Sequence, residues 1–357
     1  MKSLMSGIII ATLFCLSCSK TEQSQGDTIE IKDMSGRTVH IPKRINKIFS
    51  VNPVGTVLAY TLDPDMLVGW NYTLPGKARK YIRKAQRNLP EYGQLLGKRT
   101  TQASEESIMA KAPDIILCSW PLKGDIRENM DRVSKRLRIP VVIVENSLKR
   151  IPQVYRFIGK ITGRTERTEK LAKASEHILK VASDISPEKK GPRYYYGVGI
   201  NGLTTIPHRS IYMEIFKICG YRPALNIDGA KYMSRPIVNI EEIITADPEL
   251  IIMGDANKRG VSAVASIAEN GKLRNVSAVK NGRIYHCSGK PFNWLDKPPS
   301  VNRLAGILWL LWKGYPGKFT DVNFKREMEN YYKLFYQMDA DIKIISGEVQ
   351  INPGKFL

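Results

Sequence analysis

Two segments of this chain repeat one another, and the repeat limits the folds open to it. Glu106-Ser-Ile-Met-Ala-Lys-Ala-Pro113-Asp-Ile-Ile-Leu and Glu241-Glu-Ile-Ile-Thr-Ala-Asp-Pro248-Glu-Leu-Ile-Ile each run from a glutamate through a short amphipathic helix to a proline seven residues on. An acidic residue and a buried-strand run follow in both. Between them lies Thr165–Ile185, where Leu171, Ala174, Ile178, Leu179, Ala182 and Ile185 recur at helical spacing with charge in between. Thr165 is placed to cap its start, and Glu166 and Glu169 suit the positive end of the helix dipole. The pattern predicts two similar lobes joined by one rigid helix.

A length of 357 residues suits two domains, each with its own core. No internal run is long and apolar enough to span a bilayer. The formal charge of +21 points to nucleic acid, an anionic membrane surface or an anionic ligand. The N-terminus selects among these. Residues 1–17 read as an export signal, with Lys2 before an apolar stretch from Leu4 to Leu16, and residues 18–27 as a polar tether. Ser17-Cys18 followed by that tether resembles the lipobox of bacterial lipoproteins, which makes Cys18 the lipidated mature N-terminus. The usual leucine three residues before the cysteine is replaced by Cys15. An exported chain does not meet nucleic acid. Cys118, Cys219 and Cys287 match no metal or redox spacing and read as buried free thiols.

In chain order, Thr28–Ile41 alternates around a turn at Asp33–Arg37 and predicts a hairpin. A strand over Arg44–Val51, a helix opened by Asn52-Pro53, a short strand at Met66–Trp70 and a basic segment, Lys77–Arg87, follow. The first Glu/Pro unit, the strand Asp114–Trp120, a helix around Met130–Leu137 and the strand Val141–Glu145 close a first lobe, 28–147. Residues 148–187 hold a helix ending at Gly163 and then the long helix. The second lobe, 188–357, has strands at Arg193–Ile200 and Glu249–Gly254, and helices at Ser210–Cys219 and Ser262–Asn270. A tight hairpin at Asn281-Gly282 leads into Arg283–Ser288, and apolar helices occupy Pro299–Lys313 and Phe324–Gln337. Strands alternating with helices predict Rossmann-like α/β lobes with mostly parallel sheets covered on both faces.

Enzymatic constellations are scarce: GxSxG, HExxH, a phosphate-cradling glycine loop and a Cys/His cluster are all missing. His40, His177 and His286 read as structural or solvated. His208 and Arg209 follow a strand end, where open parallel sheets bind ligands, and are ligand candidates. Trp70, Tyr72, Trp120 and Trp294 offer aromatic walls to a bulky ligand, with Asn201 and Asp255 also at strand ends. Arg99, Lys231, Tyr232, Arg235 and Arg303 are further candidates for the cleft.

Several segments resemble the periplasmic-binding-protein family that serves ATP-driven importers of ferric siderophores, haem and cobalamin. They are Asp33-Met-Ser-Gly-Arg-Thr-Val-His-Ile-Pro42, the two Glu/Pro units, Ile161-Thr-Gly-Arg164, Val279-Lys-Asn-Gly-Arg-Ile-Tyr285, and Pro291-Phe-Asn-Trp-Leu-Asp-Lys-Pro-Pro-Ser-Val-Asn-Arg303. The last of these, with Tyr331–Tyr336, is similar to a subgroup associated with iron complexes and related to molybdate/tungstate binders. The resemblance implies α/β lobes joined by one long helix, cargo held between them, and small closure. It also implies that Glu106 and Glu241 dock on the two membrane subunits of a permease driven by a cytoplasmic ATPase, although Glu105 and Glu242 stand one residue away.

Three functions follow as expectations. The first is a monomeric, lipid-anchored receptor facing the periplasm or cell exterior, with no intrinsic cofactor, that captures an iron chelate, haem or a corrinoid. The second keeps the role but binds molybdate or tungstate, with Arg209 and Arg303 as the obvious donors. The third is an exported metal-cluster enzyme on a related frame. For haem, axial ligation falls to His208 and Tyr232, with Tyr72 behind them. Pocket size and lining separate the first two: wide and aromatic for a chelate, tight and polar for an oxyanion.

Overall fold

A computed structural model describes residues 27–96, 104–186, 191–227, 234–254, 258–287, 289–341 and 349–350. The expected signal, Cys18 and the tether up to residue 26, and the candidates Arg99, Lys231, Tyr232 and Asp255, lie outside the described residues.

The first lobe opens with the antiparallel hairpin β1 (Thr28–Lys32) and β2 (Thr38–Pro42). Its turn then closes a sheet edge by side-chain bonding. The Asp33 carboxylate accepts from Ile143 N at 3.1 Å, and the Arg37 guanidinium donates to Val141 O at 2.6 Å. β3 (Ile48–Ser50) leads into α1 (Pro53–Leu62), where the Asn52 side chain accepts from Gly55 N and Pro53 takes the first turn. The expected strand at Met66–Trp70 is instead a 3₁₀ turn, Pro64–Met66, followed by isolated bridges at Leu67 and Trp70. The Pro64 turn, capped by Asp63, takes up the residues a ladder needs. Then come α2 (Gly76–Arg79), α3 (Glu105–Lys111), β4 (Ile115–Ser119), α4 (Ile126–Leu137) and β5 (Val141–Val144). β3, β4 and β5 form a parallel sheet in that order.

α5 (Ile151–Thr162) ends at Gly163, whose φ of 68° is the left-handed cap expected of it. α6 (Thr165–Ile185) has the predicted extent, but its cap residue is Arg164, which makes no side-chain capping bond, rather than Thr165. Gly159 lets α5 and α6 approach closely, since a Cβ there would collide with Thr168.

The second lobe comprises β6 (Arg193–Val198), β7 (Thr204–Thr205), α7 (Glu214–Ile218), β8 (Arg222–Pro223), α8 (Ile240–Ala246), β9 (Leu250–Met253), α9 (Lys258–Ala268), α10 (Ser277–Lys280), β10 (Ile284–His286), α11 (Arg303–Gly314), α12 (Asp321–Tyr331) and β11 (Val349–Gln350). Its sheet runs β11-β10-β9-β6-β7, with β8 beside β6; β6, β9 and β10 are parallel, and β7 and β11 antiparallel. Asn281-Gly282 therefore makes no hairpin. It turns α10 into β10, which runs parallel to β9. The helix expected at Ser210–Cys219 is split into a 3₁₀ turn, Ile211–Met213, and α7.

Side-chain alternation divides the core. Ile115, Leu117, Leu250 and Ile252 face a large cluster that includes α1, α5, α6, α11 and α12 and runs unbroken from one lobe to the other. Ile116 and Cys118 face a satellite under α4, and Ile251 and Met253 face another under α9. Arg167 on α6 ties both lobes to the rod, donating to Thr61 O at 3.1 Å and Leu334 O at 2.6 Å. Cys118, Cys219 and Cys287 are buried and outside any disulfide, and burial pushes the Cys118 thiol up to about 12.

Candidate functional site

A cleft of about 690 Å³ opens between the lobes. On the first lobe it is lined by the segments after β4 (Pro121–Lys123) and β5 (Glu145–Ser147), beyond the carboxyl ends of parallel strands. On the second it is lined by the loop His208–Ile211, by Met213, Glu214 and Lys217, and by Tyr194, Tyr221 and Pro223.

Its floor is a polar knot between the lobes. The Glu214 carboxylate accepts from Ser147 Oγ at 2.5 Å and from Leu148 N at 3.1 Å. Arg303, 0 % exposed, pairs with Glu214 at 3.3 Å and donates to Ile211 O at 2.8 Å and Asn146 O at 2.9 Å. Above this knot, three buried polar atoms lack a hydrogen-bond partner among the described residues: His208 Nδ1, Ser210 Oγ and Asn146 Oδ1. All three residues line the cleft. A buried polar atom without a partner costs stability on the order of 1–3 kcal/mol, and these three belong to residues of one cleft lining. Lys123, Arg209 and Lys217, all exposed, line the same space, with Glu145 drawn toward Arg150 at 3.3 Å. The cleft therefore offers hydroxyl, imidazole and amide groups beside three cations. Burial pushes the Tyr194 and Tyr221 phenols up, and their hydroxyls turn inward to Met213 Sδ and Leu310 O. They present only ring surface.

The aromatic candidates behave otherwise. Trp70 is 2 % exposed, donates from Nε1 to Gln86 O at 2.8 Å, and packs on Tyr60 and Phe292. Trp294 is 1 % exposed and donates to Tyr332 Oη at 2.9 Å. Both rings are spent on packing, as is Arg303 on the knot, so in this structure none of the three presents a surface to cargo. Tyr72 is half-buried against the main core, and burial raises its phenol. Trp120 is half-buried at the end of β4, next to the cleft wall at Pro121. His208 and Arg209 are in the cleft as expected, and Asn201 and Arg235 are exposed outside its lining. Asn146, Ser147, Ser210 and Glu214 were not singled out by sequence. The strand-end rule that selected His208, applied to β5, points to Asn146 and Ser147.

The duplicated helices match position for position. Ser104 caps α3 and Asn239 caps α8, so Glu106 and Glu241 are each the second helical residue, and both are exposed. Each helix ends on a non-glycine left-handed residue before its proline: Ala112 at φ 45° and Asp247 at φ 37°. Their neighbours are engaged internally. Glu105 pairs with Arg136 at 2.7 Å, and Glu242 accepts from Asn239 N at 2.8 Å in a capping box. Glu241 lies 3.4 Å from Lys272.

Comparison with known proteins agrees with this architecture. An ABC transporter solute binding protein from Sulfurospirillum deleyianum superposes with a TM-score of 0.77 at 26% identity, over 88% of this chain and 97% of that one. The petrobactin-binding protein YclQ from Bacillus subtilis gives a TM-score of 0.56 at 19% identity, over 80% and 97%. In sequence, the molybdate-binding protein MolA of Haemophilus influenzae is 21% identical over 355 residues, 90% of this chain and 95% of that protein. A family model described as periplasmic binding protein matches residues 84–291, more than half the chain, and with two α/β lobes about one long helix this chain belongs to the periplasmic binding protein family.

Proposed function

We propose that this chain is the cargo receptor of an ABC importer, and that it captures a compact, anionic, oxygen-rich metal chelate in the cleft between its lobes. The observation that carries the reading is that one cleft lining holds His208 Nδ1, Ser210 Oγ and Asn146 Oδ1, buried and without partners among the described residues, together with the cations Lys123, Arg209 and Lys217. Lys123, Arg209 and Lys217 with the Ser210 hydroxyl and the His208 imidazole suit carboxylate, hydroxamate or similar anionic oxygens, and Asn146 Oδ1, an acceptor, suits an N–H or O–H of the same cargo. A volume of about 690 Å³ falls in the range of roughly 300–1,000 Å³ that holds organic ligands. Haem and corrinoids fit less well, because the rings of Trp70 and Trp294 are enclosed. The receptor reading also takes Cys18 as a lipid anchor, places the protein outside the cytoplasmic membrane as a monomer, and has Glu106 and Glu241 dock on the two halves of a permease. It requires no catalysis.

A second reading, a molybdate or tungstate receptor, is favoured by the polar lining and by the near full-length match to MolA. Against it stands the volume, which a single tetrahedral oxyanion fills only in small part. Native mass spectrometry with metal analysis of protein from its own host tests both. Expected is an iron-bearing adduct of several hundred daltons. A bare molybdenum or tungsten oxyanion would replace the first reading by the second, and a haem or corrinoid mass would overturn both.

A further inference from the structure

We infer that Met109 and Ile244 form a matched pair of apolar anchors through which the two lobes seat on two equivalent subunits of one membrane partner. The inference rests on the importer reading and adds the chemistry of its contact surface. α3 and α8 each bury one isoleucine completely, Ile108 and Ile243, which fixes how the helix is rolled against its lobe. The next residue in each, Met109 and Ile244, is thereby turned outward, and each is 41 % exposed. On a helix, residues three apart share a face. Met109 thus accompanies Glu106, and Ile244 accompanies Glu241, in the same relative position on both lobes.

One exposed apolar side chain is unremarkable. Two at corresponding positions of a duplicated unit, each beside a carboxylate at the same helical position, describe one socket presented twice. The carboxylate next to each is occupied internally, Glu105 by Arg136 and Glu242 by the α8 cap. The outward group on each lobe is therefore one carboxylate with one aliphatic or thioether neighbour, that of Glu241 also carrying an exposed ion pair to Lys272 at 3.4 Å that a partner's cation would have to replace. Its complement is a cation beside an apolar pocket, and two such complements in equivalent settings belong to a partner with two-fold symmetry. In such a contact the desolvated apolar anchor carries much of the affinity, while the carboxylate sets register.

The test uses the full chain and right-side-out membrane vesicles from its own host. Met109→Cys and Ile244→Cys are prepared separately, each carrying a benzophenone maleimide, and adducts formed under illumination are identified by mass spectrometry. Expected is the same membrane-subunit polypeptide attached at both positions, together with an about tenfold loss of vesicle retention in the double variant Met109→Ser, Ile244→Ser, whose thermal midpoint stays at that of the unmodified chain. Adducts to different polypeptides, or to a second copy of this chain, overturn the matched pair. So does undiminished retention of the double variant. If the unmodified chain is not retained at all, the importer reading falls first and the pair with it.

Discussion

Arg303, at the start of α11 in the second lobe, donates from Nη2 to the backbone carbonyl of Asn146 in the first at 2.9 Å, and does so with no exposed surface. The same guanidinium holds Glu214, which in turn receives Ser147 and the amide of Leu148. A buried charge in such a knot is costly to unpair. Arg303→Met should lower unfolding free energy by about 3–5 kcal/mol, read from the urea midpoint. Unchanged stability with lost cargo affinity would make Arg303 a cargo ligand after all.

The cleft atoms without partners give a prediction of opposite sign. Ser210 Oγ and His208 Nδ1 have no hydrogen-bond partner among the described residues, so Ser210→Ala and His208→Ala should leave the thermal midpoint unchanged or raised. Each should weaken cargo binding by about 1–3 kcal/mol, roughly fivefold to 150-fold, in calorimetry. A fall in stability with affinity intact would return these residues to the frame.

Asp247 links stability to pH. Hydrogen bonds from Ser277 N at 2.7 Å and Ser277 Oγ at 2.8 Å hold its carboxyl below the usual carboxylate range. Its contribution is complete above the unfolded value of about 3.9 and is lost as pH falls through the lower folded one. Asp247→Asn should therefore narrow the difference between urea midpoints measured near pH 6 and near pH 3. An equal or wider difference would refute the assignment.

Gly159 sets the approach of α5 to α6. Gly159→Ala places a methyl against Thr168 and should cost about 1–3 kcal/mol by overpacking. Thr168→Ala in the same chain should recover part of that loss, as a double-mutant cycle on chemical denaturation would report.

What the sequence made legible was what periodicity and proline placement control. Thr165–Ile185 announced itself because six apolar residues fall on one stripe, and the repeated unit because each proline closes a helix and precedes an apolar strand. Ring orientation was not legible. Trp70 and Trp294 stand near strand ends and loops in sequence, but Gln86 O and Tyr332 Oη lie in the interior and draw the indole nitrogens inward. Arg303 read as a cleft cation because its partners, Asn146, Ile211 and Glu214, are distant in sequence and appear only once the lobes meet. Asn281-Gly282 has hairpin chemistry, yet β10 finds β9 as its neighbour, and that choice is made by the sheet.

The unbroken apolar seam behind the cleft, from Ile48 through α6 to Trp309, acts as the spine of a book that hardly opens. With the jaws already set, little of the binding free energy goes into reshaping the receptor, and more of it reaches the grip on cargo. On the receptor reading, loaded and unloaded forms are expected to differ chiefly at the lips of the cleft, and a membrane partner that releases cargo would have to prise the halves apart against that seam.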